Sequence, residues 1–245
     1  LDNNQIYLSN YEGWYSIRDE AFYSENELIK KDGKFIAPSG AEVEWIKEES
    51  YFFRLSEWQD KLINFYNNNP KAILPETRYN EVLSFIKSGL KDLSISRTTF
   101  KWGIPVPNNP KHVMYVWIDA LCNYLTSIGY PDENNVNFKK YWPGFHIVGK
   151  DILRFHSVYW PAFLMAADLK PPVRVFAHGW WTNEGEKISK SVGNIINPYD
   201  IVSKYGLDQT RFFLFREVPF GNDGDFSKDA IAQRLNADLS NNYGN

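Results

Sequence analysis

The chain has 245 residues, a net charge of −3, 43% hydrophobic and 23% charged residues, values that exclude a disordered or strongly basic protein. Without an overall positive charge, an RNA partner would have to bind through a local basic patch or outside this chain. The single cysteine, Cys122, excludes an internal disulfide and a multi-cysteine zinc site, and it indicates a reducing compartment. No apolar run reaches the roughly 18–20 residues that cross a bilayer, and no signal segment stands at the beginning.

Residues 1–105 are predicted to form a mixed region of short strands and helices. Tyr11–Tyr15 indicates a strand or a turn near a sheet edge. Ser56 followed by Gln59 matches a capping box, and apolar residues follow at helical spacing, which predicts a helix from this point. A second helix is predicted from about Asn80 to Ser88.

The pattern then changes to strands that alternate with helices. Three short apolar runs are predicted as buried strands: Val113–Ile118, His146–Val148 and Val173–Ala177. The segments between them fit helices, one at Leu121–Ile128 and a longer one that ends at Ala167. Because such alternation is typical of a parallel sheet, the predicted class is α/β, as the C-terminal half of a doubly wound, Rossmann-type sheet. The remaining strands would lie before Leu1.

The last part of the chain is predicted to be helical. A loop rich in Gly, Lys and Ser follows the third strand, and Asn197-Pro198 then predicts a helix that Gly206 ends. Further helices are predicted at Asp208–Glu217 and Ser227–Asn242.

Polar residues follow each predicted strand end, where ligands bind in open α/β sheets. Asp119 follows the first strand, and an N-cap explains it at least as well as catalysis. Gly149 and Asp151 follow the second, where a ligand could approach the backbone and a carboxylate could bind ribose hydroxyls, or Asp151 could cap the next helix. His156 lies on that helix and, taken alone, is more often a core histidine.

The third strand end carries the most distinctive group of residues: His178, Gly179, Lys187, Ser189, Lys190 and Ser191. Two lysines and two hydroxyls in one loop would form a phosphate clamp, whose cations meet the negative charge on a departing polyphosphate. The alternative is a solvated basic loop. Neither the Walker A spacing nor serine hydrolase, zincin or paired-cysteine patterns occur in the sequence.

Taken together, these segments resemble the methionyl-tRNA synthetases, a family of class I aminoacyl-tRNA synthetases. Lys187–Ser191 is similar to the KMSKS loop of that class, with Ile in place of Met. Tyr115–Ala120 resembles the strand that builds the methionine pocket, Gly149–His156 the nucleotide and amino-acid segment, and His178-Gly179 the turn at the adenosine. The motifs stand in the order found in the family, and the matching stretches run from about residue 11 to 242. The resemblance to this family is therefore specific.

The resemblance implies that methionine reacts with ATP, with Mg²⁺ accompanying the nucleotide, to give methionyl-adenylate and pyrophosphate, and that the methionyl group passes to tRNA(Met). Neither DNA nor a membrane is implied. Lys187 and Lys190 would be the catalytic residues on the pyrophosphate side. The implied ATP-binding residues are Gly149, Asp151, His178, Gly179, Ser189 and Lys190. The implied methionine-binding residues are Trp117, Ala120, Tyr124, Ile152 and His156, and a pocket with aromatic walls suits a thioether.

The sequence also departs from the family. The His-Ile-Gly-His signature and the acidic residue for the substrate amine are absent and are expected before Leu1, so this chain alone is expected to be inactive. Ser16 and Asp19 stand where many members carry a Cys-x-x-Cys pair, which predicts no zinc. The expected location is the cytoplasm, with the mitochondrial matrix as the alternative.

The resemblance also implies four consecutive regions. They are a connective insertion at 1–105, the second half of the Rossmann-type catalytic domain at 106–180, the KMSKS-like loop with a helical stem-contact region at 181–226, and the start of an anticodon-binding helical bundle at 227–245.

Two other functions stay open at this point. A class I synthetase for another apolar amino acid usually carries a much larger editing insertion, for which the segment before the sheet leaves no room. A nucleotide- or tRNA-binding module without catalysis would lack the histidine signature, as this chain does. Pyrophosphate exchange across several amino acids distinguishes the first alternative, and calorimetry with ATP and methionine distinguishes the second.

Overall fold

The computed structural model describes residues 3–18, 21–23, 25–31, 33–188 and 193–244, and does not describe the side chains at 11, 21, 22 and 26. Within these ranges, no helix combines the length and apolar character needed to span a bilayer. The chain forms two compact units, each discontinuous in sequence. The first comprises Leu1–Phe65, Phe85–Trp142 and Tyr159–Lys170, and the second comprises Tyr66–Ser84, Pro143–Val158 and Pro171–Asn245. The four consecutive regions implied by the resemblance therefore stay a prediction.

The strands are short, apart from one antiparallel pair, β1 and β5. The strands are β1 (Ile6–Ser16), β2 (Ala21–Tyr23), β3 (Ile29–Lys31), β4 (Lys34–Ile36), β5 (Glu44–Phe53), β6 (Ile73–Leu74), β7 (Leu93–Ser94), β8 (Ser96–Arg97), β9 (Pro105–Val106), β10 (Asn109–Met114), β11 (Phe145–Gly149), β12 (Arg174–His178), β13 (Trp181–Asn183), β14 (Glu186–Lys187) and β15 (Gly224–Phe226). The α-helices are α1 (Gln59–Asn68), α2 (Glu76–Lys87), α3 (Val116–Thr126), α4 (Val136–Tyr141), α5 (Trp160–Ala166), α6 (Pro198–Tyr205), α7 (Leu207–Glu217) and α8 (Lys228–Arg234). Two π-helical segments cover Phe155–Tyr159 and Leu235–Tyr243.

The strands of the first unit are antiparallel. β1 pairs with β5 from Ile6↔Phe53 to Tyr15↔Glu44, in a sheet of order β2-β1-β5-β7. A second sheet has the order β8-β10-β9, and β3 pairs with β4. Tyr11–Tyr15, predicted as a strand or a turn near a sheet edge, is part of strand β1.

The capping box predicted at Ser56 and Gln59 is wrong. A 3-10 turn at Leu55–Trp58 precedes α1, and the side chain of its N-cap residue makes no capping hydrogen bond to the turn. The backbone N–H and hydroxyl of Ser56 both donate to Asp92 Oδ1, at 3.1 and 2.6 Å. Gln59 Oε1 accepts from the backbone N–H of Leu90 at 2.8 Å. Both side chains are therefore used by residues distant in sequence, which a local pattern does not reveal.

The strand predicted at Val113–Ile118 ends at Met114, and Val116–Thr126 is helix α3. β10 is antiparallel to β8 and β9, so it does not belong to a parallel sheet. A short apolar run fits a buried strand and a buried helix equally well. Here the helix is favoured over the strand because it packs Leu121 and Leu125 against Trp160 and Leu164.

Asp119 does not cap this helix, contrary to one of the two interpretations of its position. Tyr115 is the N-cap of α3, and Asp119 lies in the first turn. A negative charge there is favoured by the helix dipole.

The second unit contains the parallel sheet, with the order β11-β12-β6 among the described residues. β11 and β12 are in register from Phe145↔Arg174 to Gly149↔His178. These strands confirm two of the three predicted ones. The third member, β6, was not predicted, because two residues carry no periodicity.

Both ends of α6 and the start of α8 are confirmed, whereas the helix predicted at Ser227–Asn242 is divided into α8 and the π-helical segment Leu235–Tyr243. Asn197 caps α6 by accepting from the backbone N–H of Tyr199 at 3.0 Å, and Gly206 ends it with φ +94°. Ser227 caps α8 by accepting from Ala230 N–H at 3.0 Å. A small core of Phe213, Phe226 and Ile231 joins these helices to β15.

Candidate functional site

The carboxyl ends of β11 and β12 place Gly149 and His178 side by side, as the last pair of the parallel register. Gly149 has φ −67° and ψ 147°, which any residue adopts, so its backbone does not require glycine. A Cβ atom here would lie 2.5 Å from Asp151 Oδ1 and 3.9 Å from His178 Cε1, so a larger residue would have to displace the Asp151 side chain. The predicted ATP-site residues Gly149, Asp151 and His178 are therefore brought together at one sheet edge.

Asp151 lies in a 3-10 turn, Lys150–Ile152, and makes no cap for it. Its Oδ1 accepts a hydrogen bond from the indole N–H of Trp180 at 3.2 Å, and the residue is exposed. A carboxylate has about four acceptor positions, so Asp151 can also accept hydrogen bonds from the hydroxyls of a ligand. The capping interpretation of Asp151 is wrong.

The His178-Gly179 turn packs against the segment that precedes β15. A Cβ atom at Gly179 would overlap the carbonyl oxygen of Asn222, so only glycine fits. The Nδ1–H of His178 donates to the carbonyl oxygen of Gly179 at 2.8 Å. The next backbone N–H, that of Trp180, donates to Asp223 Oδ1 at 2.8 Å.

A lysine and an acid that the sequence analysis did not single out complete this edge. Lys150 Nζ lies 2.5 Å from Asp223 Oδ2 and 4.4 Å from the ring centroid of Trp180. The hydrogen bond from Lys150, followed by that from the Trp180 backbone, lowers the pKa of Asp223 below its ordinary value. Lys150 lies in the Gly-Lys-Asp turn, so its place in the sequence next to Gly149 and Asp151 could have identified it as a site residue. Asp223 had no such signal, because 73 residues separate the two partners.

The hairpin of β13 and β14 carries Lys187 to the same Trp180. Glu184 and Gly185 have φ +51° and +82°, the pair of positive angles that a two-residue hairpin turn requires. The turn is held by Asp225 Oδ1, which accepts from Gly185 N–H at 2.8 Å. Lys187 Nζ then lies 4.6 Å from the ring centroid of Trp180.

Asn194 ties together the two ends of the loop that resembles KMSKS. Its side-chain amide donates to the carbonyl oxygen of Lys187 at 3.0 Å, and its own carbonyl oxygen accepts from Asn183 Nδ2 at 3.0 Å. The predicted site residues Ser189 and Lys190, and Ser191 with them, lie outside the described residues.

Three of the predicted methionine-binding residues lie on α3 in the first unit. Trp117, Ala120 and Tyr124 share one face, since their spacing is three and four residues. Ala120 is exposed, whereas Trp117 and Tyr124 are half-buried and pack against the core of that unit. The ring of Tyr124 lies 6.3 Å from that of Trp160, and burial raises the pKa of its hydroxyl.

A cavity of about 410 Å³ in the first unit opens beside the start of α3. Met114, Val116 and Asp119 form part of its wall, whereas Trp117, Ala120 and Tyr124 do not line it. This cavity is therefore not the predicted methionine pocket.

The other two predicted methionine-binding residues, Ile152 and His156, lie in the second unit and touch each other. The Nδ1–H of His156 donates to the carbonyl oxygen of Ile152 at 2.9 Å. His156 is buried, and its ring centroid is 6.0 Å from that of His146, which is also buried.

Both histidines of this pair are held in the neutral form. Burial, and then the neighbouring His156, lowers the pKa of His146 to about 4. Burial also lowers the pKa of His156, against the opposing effect of its hydrogen bond to Ile152. Because a carbonyl oxygen only accepts, Nδ1 of the neutral His156 carries the proton and Nε2 is an acceptor.

No group of three or more His, Cys, Asp or Glu side chains is placed to hold a metal ion, within the part of the chain that the structure describes. That part includes Ser16 and excludes Asp19, the two residues that replace a cysteine pair.

Comparison with known proteins gives concordant matches. The sequence model of the family described as tRNA synthetases class I (M) matches residues 34–245. The chain is 61% identical over its full length to a methionine–tRNA ligase of Rickettsia conorii, of which it covers 48%, and 62% identical over 99% of its length to one of Brucella suis, of which it covers 47%. It thus spans about half the length of these curated relatives.

A solved structure, Mycobacterium tuberculosis methionyl-tRNA synthetase in complex with methionyl-adenylate, matches with a TM-score of 0.91 and 56% identity. The match covers 98% of this chain and 48% of that one. The apo form of the same synthetase matches with a TM-score of 0.89 at 52% identity.

Proposed function

Because the chain belongs to the family of class I tRNA synthetases (M), we propose that its parent protein activates methionine with ATP and transfers it to tRNA. In the first step a methionine carboxylate oxygen attacks the α-phosphorus of ATP, which forms methionyl-adenylate and releases pyrophosphate. In the second step a ribose hydroxyl of the terminal adenosine of tRNA(Met) attacks the methionyl carbonyl carbon, which releases AMP.

One observation carries the proposal, the grouping of the predicted residues at one sheet edge. Gly149 and His178 end neighbouring strands there, and Asp151 and Lys187 both contact Trp180, two residues after His178. Asp151 accepts the ribose hydroxyls, and the side-chain-free backbone at Gly149 lets the nucleotide approach. His178 and Gly179 flank the adenine. These residues bind and orient the substrate without forming a covalent bond to it.

Lys187 and Lys190 stabilise the charge that develops on the leaving pyrophosphate, and Ser189 orders the loop around them. Their contribution is made in the transition state, where the negative charge on the pyrophosphate oxygens grows. Mg²⁺ enters with the phosphates of ATP, and no protein ligand is assigned to it. No zinc is required, because Ser16 and Asp19 replace the cysteine pair.

Trp117, Ala120, Tyr124, Ile152 and His156 contact methionine. A neutral His156 suits this task because a cationic ring would repel the ammonium group of the amino acid and would gain nothing from an uncharged thioether. The aromatic rings of Trp117 and Tyr124 present edges that favour sulfur contacts. The parent protein acts in the cytoplasm.

The test is methionine-dependent exchange of radiolabelled pyrophosphate into ATP by the full-length protein. We expect exchange with methionine and little with leucine, isoleucine or valine. Faster exchange with leucine than with methionine would indicate a class I synthetase that is specific for another amino acid. No exchange with any amino acid, in a protein that binds ATP, would indicate a binding module without catalysis.

Lys190→Ala tests the assignment of the loop. We expect the exchange rate to fall by roughly 100-fold or more, because a charge contact of the transition state is lost. The dissociation constant for methionine should change less than threefold. Normal exchange by this variant would show that Lys190 is not part of the phosphate clamp.

A further inference from the structure

Trp180 is the residue at which the two lysines of the candidate site meet. The ammonium groups of Lys150 and Lys187 lie 4.4 and 4.6 Å from its ring centroid. Both distances are within the range in which a cation is attracted by the electron-rich face of an indole. Lys150 is the first residue of the turn that contains Asp151, whereas Lys187 begins the loop that resembles KMSKS, so one ring contacts two segments that are distant in sequence.

The position of Trp180 is fixed by two carboxylates. Its indole N–H donates to Asp151 at 3.2 Å, and its backbone N–H donates to Asp223 at 2.8 Å. Its carbonyl oxygen accepts from the backbone N–H of Gly224 at 2.8 Å. Asp223 also forms an ion pair with Lys150. The ring that Lys187 contacts is therefore held by several hydrogen bonds, and one of the two carboxylates that hold it is already paired with a cation.

We propose that Trp180 is a positioning residue for the proposed ATP activation, a platform that holds the ammonium group of Lys187 beside the phosphate-binding edge. The proposal rests on the proposed function and adds a residue to its site. Trp180 acts through Lys187 and does not bind the substrate itself. The ligand that Lys187 then meets is a polyphosphate, because its adjacent phosphate groups offer a concentrated negative charge to the ammonium group when it leaves the ring.

The contribution of the platform is entropic. A lysine side chain loses rotamer freedom when it is fixed, and here part of that loss occurs before the ligand binds. The indole attracts the ammonium group less strongly than a phosphate does, so Lys187 can transfer to the ligand. Removal of the ring should therefore weaken only the part of catalysis that depends on Lys187.

A double-mutant cycle in the full-length protein tests this coupling, with Trp180→Leu, Lys187→Ala and the double variant. The readout is kcat/KM for ATP in pyrophosphate exchange, with kcat and KM determined separately. We expect Trp180→Leu to lower kcat/KM by roughly three- to tenfold when Lys187 is present. With Ala at 187, the same replacement should cost less than twofold. Equal losses in both backgrounds, or no loss in either, would overturn the proposal.

Two further variants separate the platform from a general effect on folding. Trp180→Phe keeps a ring face but loses the N–H bond to Asp151, so we expect it to retain most of the coupling to Lys187. Tyr141→Leu is the control, because it removes a different ring, an exposed one that has a lysine, Lys140, 5.2 Å from its centroid. It should leave the kinetics unchanged. Loss of coupling in Trp180→Phe would contradict the platform role.

A binding measurement distinguishes failure of the platform role from failure of the proposed function. Calorimetry with inorganic tripolyphosphate on the same four proteins of the cycle requires neither methionine nor turnover. We expect the same pattern of coupling in the dissociation constants. If the wild type shows no exchange but the coupling persists, the proposed function fails and the platform stands. If exchange is normal and both cycles lack coupling, the platform alone is wrong.

Discussion

At Gly149 and at Gly179 an added side chain would meet other atoms of the chain. The obstacle at Gly149 is the end of the Asp151 side chain, and the obstacle at Gly179 is the backbone of Asn222. A side chain can rotate away, whereas a packed backbone segment cannot do so without unfolding part of the unit. The two glycines are therefore expected to respond differently to the same replacement.

Gly149→Ala should impair nucleotide binding with little loss of stability. The new methyl group displaces the Asp151 carboxylate, and the loss of one or two of its hydrogen bonds should raise the KM for ATP by roughly five- to tenfold. Exchange kinetics at saturating methionine would measure this. An unchanged KM would mean that Asp151 does not bind the ribose.

Gly179→Ala should instead destabilise the fold. Overlap with the Asn222 carbonyl should lower the free energy of unfolding by about 1–3 kcal/mol, which urea unfolding of both glycine variants would compare. If Gly179→Ala is as stable as the wild type, the turn is less tightly packed than described.

His146 and His156 make stability depend on pH. The pKa of His146 in the folded protein, about 4, lies below the value of about 6.5 expected in the unfolded chain, so the unfolded chain binds the proton more readily. The contribution of this neutral histidine to stability is therefore complete above pH 6.5 and is lost as the pH falls from 6.5 to 4. The pKa of His156 is lowered too, so its effect has the same sign.

His146→Gln should reduce this acid sensitivity. We expect the wild type to lose roughly 2–3 kcal/mol more than the variant between pH 6.5 and 4, in urea unfolding curves followed across that range. Parallel curves for the two proteins would show that His146 does not titrate as described.

At the level of secondary structure, the π-helical segment Phe155–Tyr159 is the element that presents His156. Such segments are rare and occur frequently at functional sites, because the wider turn shifts a side chain relative to a regular helix. The buried hydroxyl of Tyr66, on α1, donates to the carbonyl oxygen of Ser157 in this segment at 2.5 Å. This bond satisfies a buried carbonyl oxygen and holds the turn that carries His156.

Tyr66→Phe should therefore affect both stability and methionine use. The loss of the bond leaves a buried carbonyl oxygen with one fewer donor and should cost about 1–2 kcal/mol. The KM for methionine should rise by a few-fold while that for ATP stays the same. Tyr199→Phe serves as the control, since Tyr199 is 84% exposed. Equal effects of the two variants would contradict the role given to Tyr66.

At the scale of the whole molecule, the chain spans about half the length of its matched relatives. The edge strand β11 leaves Phe145 and Ile147 about two-thirds exposed, which is unusual for a strand of a parallel sheet. We expect the 245-residue chain expressed alone to bind methionine weakly and to show no exchange, whereas the full-length protein shows both. Tight methionine binding by the isolated chain in calorimetry would contradict this.

The sequence by itself determined the family, and it predicted a set of ATP-site residues of which the described ones, such as Gly149 and His178, lie at one sheet edge. Short motifs are readable because each strand end or turn depends on neighbours along the chain: glycine at 149, the cap at Asn197 and the end at Gly206 all have local causes. The strands at Phe145–Gly149 and Arg174–His178 were predicted for the same reason, since a buried parallel strand is a short apolar run bounded by turns.

Only the tertiary structure decided what those segments contact. It made Val116–Ile118 part of a helix, gave the side chains of Ser56 and Gln59 to partners more than thirty residues away, and paired β6 with β12. It also placed Lys150 and Asp223 together and brought two lysine ammonium groups over the ring of Trp180. Such choices depend on burial and on pairing between distant segments, whose free energy arises only when the chain has folded.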